Sequence, residues 1–375
     1  MFLWIVDLGA ISWGLLTICY FEKEIIRNVN LLFVTSLLLV GIAEAMLRTY
    51  PSILGQDFIT AISTKYTTAP GGIYYMDPVL KIKFMYPNYR TDMYYAGYHW
   101  LHQTDQFGFR NEGTRTTADI VLLGNSFIYG HGVNIDQTVG HFIQELTHYS
   151  VMNLARQGDY SYTEAYLLTE YIDQFIPRYV VYFFYENDLS ELFSDLTDDE
   201  IKQFINTPVT QIKYKSRMEV DAAIRMTAQR YQREIRTGSL SRFLRRNIYI
   251  LKGVEYVNIV RRAIKKLPLS QHGTHDINDE ETLGWDYTKH AIIYMNYIAR
   301  IHDARFIIVP ITPRNDRHQA ILHDFARENN IAFLDTKAMN RSDESLWLPG
   351  DGHFSEKGAL TIAHLVAEKL AVADR

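Results

Sequence analysis

A single cysteine, Cys19, is present in 375 residues. No intramolecular disulfide can form, and no cysteine-rich metal site exists. The lack of disulfides leaves the compartment open, because exported domains also do without them. No internal repeat or low-complexity tract appears, which argues against a solenoid or a linker protein. No large excess of one charge is present either. A net charge of −5 with 47% hydrophobic residues excludes a disordered chain. Tyrosine and phenylalanine, by contrast, are abundant at 26 and 19 residues, which fits a chain with a real core. The length accommodates one large or two ordinary domains.

Two apolar runs open the chain. Phe2 to Phe21 is mostly apolar but contains Asp7, and Leu31 to Leu47 carries no charge before Glu44. Each is about the ~20 residues that cross a bilayer. Residues 22–28 between them read as a short charged turn. Lys23 and Arg27 favour the cytoplasmic side. If both runs span, both chain ends lie outside; if only the second spans, the N-terminus is inside. Either way, residues from about 50 onward are expected outside the cytoplasm, with Arg48 as a mild counter-signal. A cleaved signal sequence with Ala43-Glu44-Ala45 as a loose cleavage match is a further alternative, and a buried soluble helix is another. Residues 1–48 are therefore read as one or two transmembrane helices.

Residues 49–117 are rich in Tyr, Gly and Pro and alternate in short pieces. They read as irregular β structure packed on the core, with Asp105 to Asn111 turning the chain into the first core strand. From residue 118 onward, strands and helices alternate. Ile120-Val121-Leu122-Leu123 is a continuous apolar run of the kind buried on both sheet faces. Val151 to Leu154, Tyr179 to Phe184, Arg305 to Ile311 and Ile331 to Asp335 repeat that character. Helical patterns over 137–146, 162–176, 287–301, 318–329 and 355–373 lie between and after them. This rhythm predicts an α/β fold of three layers, α/β/α, with a parallel sheet. Residues 190–285 break it. Between Lys213 and Lys266 stand fifteen Lys and Arg against four acids. Such a segment reads as a solvated helical face or as a basic cap meeting anionic headgroups or polymer. A nucleic-acid role is not expected of an exported segment.

Chemistry-bearing residues collect where strands end. Ser126 follows Gly124-Asn125 directly after the first core strand. Gly158 stands after the second, Asn187 after the third, and Asp351 and His353 share one late loop. Taken alone, each has an ordinary structural reading as a turn or loop residue. Together they match the needs of acyl transfer: a hydroxyl, a base, an acid to hold the base, and N–H donors for a tetrahedral oxyanion.

With these residues in place, the sequence resembles the SGNH (GDSL-like) hydrolases. Gly124-Asn125-Ser126-Phe127 stands for the Gly-Asp-Ser motif, Gly158 for the lone glycine, Asn187-Asp188 for the Asn-Asp pair, and Asp351-Gly352-His353 for the last block. The resemblance covers about 118–190 and 285–370. It implies the flavodoxin-like fold of that family, Ser126 as nucleophile, His353 as base and Asp351 as the acid. It implies an oxyanion hole from the Ser126 and Gly158 N–H groups and the Asn187 side chain. Two departures stand out. Asn125 replaces the usual Asp, and one residue rather than two separates the acid from the histidine. That spacing is more like the polysaccharide O-acetyltransferase branch. If Asp351 fails to reach the imidazole, a dyad remains.

The resulting expectation is a membrane-anchored serine esterase of SGNH type, without metal or cofactor. Its catalytic domain, residues 118–375 with a basic helical insertion at about 190–285, faces away from the cytoplasm. Its substrate would be an acyl ester on an envelope glycan or lipid, and its N-terminal segments would contact membrane lipid. An O-acyltransferase acting on polysaccharide, and a non-catalytic SGNH-fold protein of envelope assembly, are the alternatives.

Overall fold

The computed structural model describes residues 24–50, 72–77, 82–95, 97–113, 115–214, 277–311, 316–339 and 342–373. The first apolar run and nearly all of the basic segment 213–266 lie outside the described residues. The chain forms two units, residues 1–63 with 236–270 and residues 64–235 with 271–375.

In the first unit, helix α1 spans Glu24–Thr49. The sequence reading made residues 22–28 a charged turn, but Glu24 and Arg27 belong to the first turn of this helix. A carboxylate there meets the positive end of the helix dipole, which favours continuation. Asn28–Leu47 is 20 residues long with mean hydropathy 2.0, and 6% of it is buried. At 1.5 Å per residue that length matches a hydrocarbon core of about 30 Å. Ser36 and Thr49 donate their hydroxyls to the carbonyls of Leu32 and Ala45, each at 2.8 Å, so neither polar side chain is left unsatisfied. The helix is long and apolar enough to cross a membrane, a property an uncleaved anchor and a signal sequence share.

The second unit is built on a five-stranded sheet. Its strands are β5 (Ile120–Leu123), β6 (Val151–Asn153), β7 (Tyr179–Tyr185), β8 (Arg305–Ile311) and β9 (Ala332–Phe333). They run in the order β6-β5-β7-β8-β9, and every pairing is parallel. Ahead of the sheet lie two antiparallel hairpins, β1 (Tyr74–Met76) with β2 (Lys83–Met85) and β3 (Arg90–Tyr95) with β4 (Tyr98–Gln103).

Strand side chains alternate between two cores, as a pleat of period two requires. Ile120, Leu122, Val181 and Phe183 face one core, shared with Ile143 of helix α3 (Val139–Thr147) and Ile362 and Val366 of helix α9 (Glu356–Ala373). Val121, Leu123, Val180 and Tyr182 face the other, shared with helix α4 (Ser161–Phe175) and helix α7 (Ile277–Ile301). Both faces are covered, which gives the three-layer α/β/α architecture. It also explains why these strands read as continuous apolar runs rather than alternating ones.

Element boundaries differ from the sequence pattern in one notable place. Helix α7 begins ten residues before Tyr287, at Ile277. Residues 190–206 form two helices, α5 (Asp188–Asp195) and α6 (Asp198–Asn206), the latter closed by a capping box between Thr197 and Glu200. Helix α8 (Asp316–Glu328) leads into β9.

Strand β5 sits between β6 and β7, so the chain leaves it to one side for β6 and returns on the other for β7. That reversal leaves a crevice beyond the carboxyl end of β5, the place where open α/β sheets bind ligands.

Candidate active site

Ser126 emerges at that crevice, as the first residue of the four-residue helix α2 (Ser126–Tyr129). Two neighbours force the sharp strand-to-helix turn. A Cβ on Gly124 would come within 2.7 Å of Ile128 Cγ1 and 3.2 Å of Phe183 Cβ, so only glycine fits. Asn125 caps the helix, its Oδ1 accepting from the Phe127 N–H at 3.2 Å.

His353 arrives on the loop between the 3₁₀ turn Glu344–Leu346 and α9. The loop is pinned at both ends. The Leu348 N–H donates to His353 O at 2.7 Å, and Tyr98 Oη donates to Pro349 O at 2.7 Å. Gly352 adopts φ +91°, a left-handed turn that swings Asp351 and His353 toward each other. The Asp351 carboxylate therefore reaches across one residue to accept from His353 Nδ1 at 2.7 Å. The other ring nitrogen, Nε2, stands 2.7 Å from Ser126 Oγ. With Nδ1–H committed to the carboxylate, Nε2 is the acceptor for the serine hydroxyl. Phe127 packs its ring 4.7 Å from the His353 ring and restricts it further.

The three candidate oxyanion donors come from separate elements. The Ser126 and Gly158 N–H groups have no protein acceptor among the described residues. Gly158 has φ +72° in a turn braced by a buried pair: Arg156 Nε and Nη2 donate to Asp159 at 3.0 and 2.8 Å. Asn187 leads into α5. Its Oδ1 accepts from Asn125 Nδ2 at 2.9 Å, and its own Nδ2 donates to Glu191 Oε1. The orientation is dictated by the network. Asn125 Oδ1 is occupied by the cap, so its amide nitrogen faces Asn187, which must answer with oxygen. Asn187 Nδ2 keeps a second hydrogen for a ligand. Beneath it, buried Asp188 accepts from Tyr182 Oη at 3.0 Å.

The structure thus brings Ser126, Asp351 and His353 into one hydrogen-bonded row, with Gly158 and Asn187 at the ends of neighbouring strands. The sequence reading missed His131. Its side chain is 3% exposed and its Nε2 lies 2.9 Å from Asp351 Oδ2, a close polar contact off the ideal hydrogen-bond line. Its ring stacks on that of His353 with centroids 4.2 Å apart. A histidine between two glycines, five residues beyond the serine, was the available signal. Burial opposes charge on Asp351, but the His131 and His353 imidazoles overcome it and hold its carboxyl well below the usual range. Burial pushes His131 below its ordinary value, against the pull of Asp351.

His131, Asp351 and His353 are also the donor group best placed for a metal ion among the described residues, with ligand atoms within 4.8 Å of one another. Each carboxylate oxygen already faces an imidazole nitrogen, so protons alone account for the arrangement. A cavity of about 380 Å³ adjoins the Gly158 turn, lined by Lys83, Tyr160, Tyr162, Asp195, Glu200 and Tyr214 among others.

No protein-family model and no curated protein matches the chain. Among solved structures, a protein from Desulfitobacterium hafniense DCB-2 assigned to the lipolytic G-D-S-L family is similar at 14% identity. The similarity covers 68% of this chain and 99% of that one, with a TM-score of 0.36. TesA is similar at 12% identity over 67% of this chain and 97% of its own, with a TM-score of 0.33.

Proposed function

We propose that the chain is a serine hydrolase of SGNH type that cleaves an ester-linked acyl group. The observation that carries this reading is the row Ser126 Oγ, His353 Nε2, His353 Nδ1, Asp351 Oδ1, joined at 2.7 and 2.7 Å. In this reading the Ser126 and Gly158 N–H groups and the Asn187 amide serve as the oxyanion donors. In this reading His353 Nε2 takes the serine proton as Ser126 Oγ attacks the ester carbonyl. Negative charge gathers on the former carbonyl oxygen, and the three donors stabilise it. Asp351 holds the imidazole in the tautomer that accepts, then balances the imidazolium. The tetrahedral intermediate collapses, the C–O bond to the alcohol breaks, and His353 returns its proton to the leaving oxygen. Water, deprotonated by His353, then releases the acid and restores Ser126. An acceptor hydroxyl in the place of water makes the same site an O-acyltransferase.

The cavity beside Gly158 supports a polar alcohol portion. Its wall combines the Tyr160, Tyr162 and Tyr214 rings with Lys83, Asp195 and Glu200, a lining suited to a hydroxyl-rich group such as a carbohydrate. Helix α1 supports a membrane anchor, with the hydrolase domain from residue 118 onward outside the cytoplasm and its substrate an envelope ester. The test is hydrolysis of p-nitrophenyl acetate by the detergent-solubilised chain. Activity that disappears in Ser126→Ala supports the hydrolase. A folded chain with no Ser126-dependent turnover contradicts it and favours a non-catalytic assembly protein.

A further inference from the structure

Arg110 ties down the segment that carries His131. Its guanidinium is buried and donates to four carbonyls, those of Leu101, Tyr129, Gly130 and Val133. A buried arginine spent on main-chain carbonyls fixes backbone rather than charge, because each bond constrains one peptide plane. The plane that most needs fixing is that of Gly130-His131-Gly132, since both glycines adopt positive φ, +85° and +79°. The His131 imidazole is thereby held in a slot between the Trp100 and Tyr95 rings, 5.0 and 4.9 Å away, and the His353 ring.

Both of its nitrogens face partners of opposite kind. The Gln157 side-chain amide lies 2.7 Å from Nδ1. Its nitrogen can only donate, so His131 Nδ1 accepts. The single proton of a neutral imidazole is then on Nε2, which faces Asp351 Oδ2. The triad acid therefore stands between two imidazoles, His353 on Oδ1 and His131 on Oδ2. Gln157, the third link, is the residue immediately before the oxyanion glycine Gly158.

We propose that His131 is a positioning residue that couples the triad to the oxyanion turn through the chain Asp351, His131, Gln157, Gly158. It fixes the second oxygen of Asp351, so that the first stays aimed at His353 Nδ1. At its other edge it fixes Gln157, and with it the neighbouring N–H. It stays neutral and touches no reacting atom. The inference rests on the hydrolase reading given above.

Three substitutions separate its two contacts. His131→Gln sets an amide N–H near the former Nε2 and keeps the donor to Asp351. His131→Asn sets its amide near the former Nδ1, keeping a partner for Gln157 and losing Asp351. His131→Phe keeps only the ring. The rate of fluorophosphonate labelling of the full-length chain in detergent is the first readout. The Phe variant, which loses both contacts, is expected to slow by about 30-fold, a fraction of the ~10⁴ lost when a triad acid is neutralised. The Gln and Asn variants, each keeping one of the two contacts, are expected to fall between Phe and the wild type, about fivefold slower than the wild type. Equal labelling of all four chains, or a Gln or Asn variant as slow as Phe, overturns the positioning role alone. A wild-type chain that does not label contradicts the hydrolase itself, and the positioning role falls with it.

The second readout needs no turnover. In ¹⁵N-histidine spectra, the signal absent from His131→Gln is expected to show the Nε2–H tautomer, unchanged from about pH 5.5 to 8, because burial disfavours the charged ring. The groups facing that ring are Asp351, His353, Gln157, Tyr95 and Trp100, with Tyr98 acting on Asp351. An Nδ1–H tautomer, or an imidazolium at pH 7, overturns the proposal.

Discussion

Asn125 donates its side-chain amide to Asn187 Oδ1 across 2.9 Å, linking the residue before Ser126 to the candidate oxyanion asparagine. Asparagine at this position therefore has a structural consequence that aspartate would not have. An aspartate retains the helix cap but has no N–H to give Asn187. Here the amide does both, accepting from Phe127 N–H with one atom and orienting Asn187 with the other.

Asn125→Ala removes the cap and the pin together. Stability is expected to fall by about 1 kcal/mol, the usual value of a capping side chain. Ester turnover is expected to fall by roughly tenfold, because Asn187 loses its fixed orientation. Asn125→Asp keeps the cap and so is expected to keep the stability. Urea melts and p-nitrophenyl acetate kinetics on both variants check the pair. Equal stability loss in the two would contradict the division of labour.

Asn187 itself is expected to act on the rate and not on substrate affinity. Truncation to Ala should lower kcat by about 10²-fold with little change in KM, as for other oxyanion donors. A change confined to KM would remove it from the oxyanion site.

A pH effect follows from two acids beneath the same strand end. Glu164 and Asp188 are both fully buried, and burial pushes both carboxyls well above the usual range, with Asp188 repelling charge on Glu164 and Glu191 repelling charge on Asp188. The folded chain therefore holds protons that the unfolded chain, titrating near about 4.3, has released. Stability is expected to be highest below that value and to decline as pH rises toward the folded values. Glu164→Gln removes one ionisation and should flatten this decline. Thermal melts across pH 5 to 8 decide it; an unchanged slope contradicts the assignment.

The Arg156–Asp159 pair holds the turn that presents Gly158. Asp159→Asn leaves a buried guanidinium without its charge partner, which costs ~3–5 kcal/mol in comparable sites. Chemical denaturation should register that loss, and turnover should fall with it at temperatures where the variant remains folded. A loss within experimental error would mean that the turn is held by other contacts.

Much of this was legible in the sequence. Continuous β-branched runs declared buried parallel strands, because each is covered on both faces, and the blocks that follow three of them put Ser126, Gly158 and Asn187 just past strand ends. The reach of Asp351 to His353 was not legible, since it depends on the left-handed turn at Gly352. His131 was overlooked because its partners Asp351 and Gln157 are distant in sequence and only the fold unites them. Residues 24–28 were misread because charges that look like a turn are equally at home in a first helical turn.

The central claim is that Ser126 is an activated nucleophile. Its most direct measurement is the intact mass and peptide map of the full-length chain after fluorophosphonate treatment. A single covalent adduct on Ser126 is expected, absent in Ser126→Ala and strongly slowed in His353→Ala. A folded wild-type chain without an adduct, or an adduct that persists in Ser126→Ala, would contradict it.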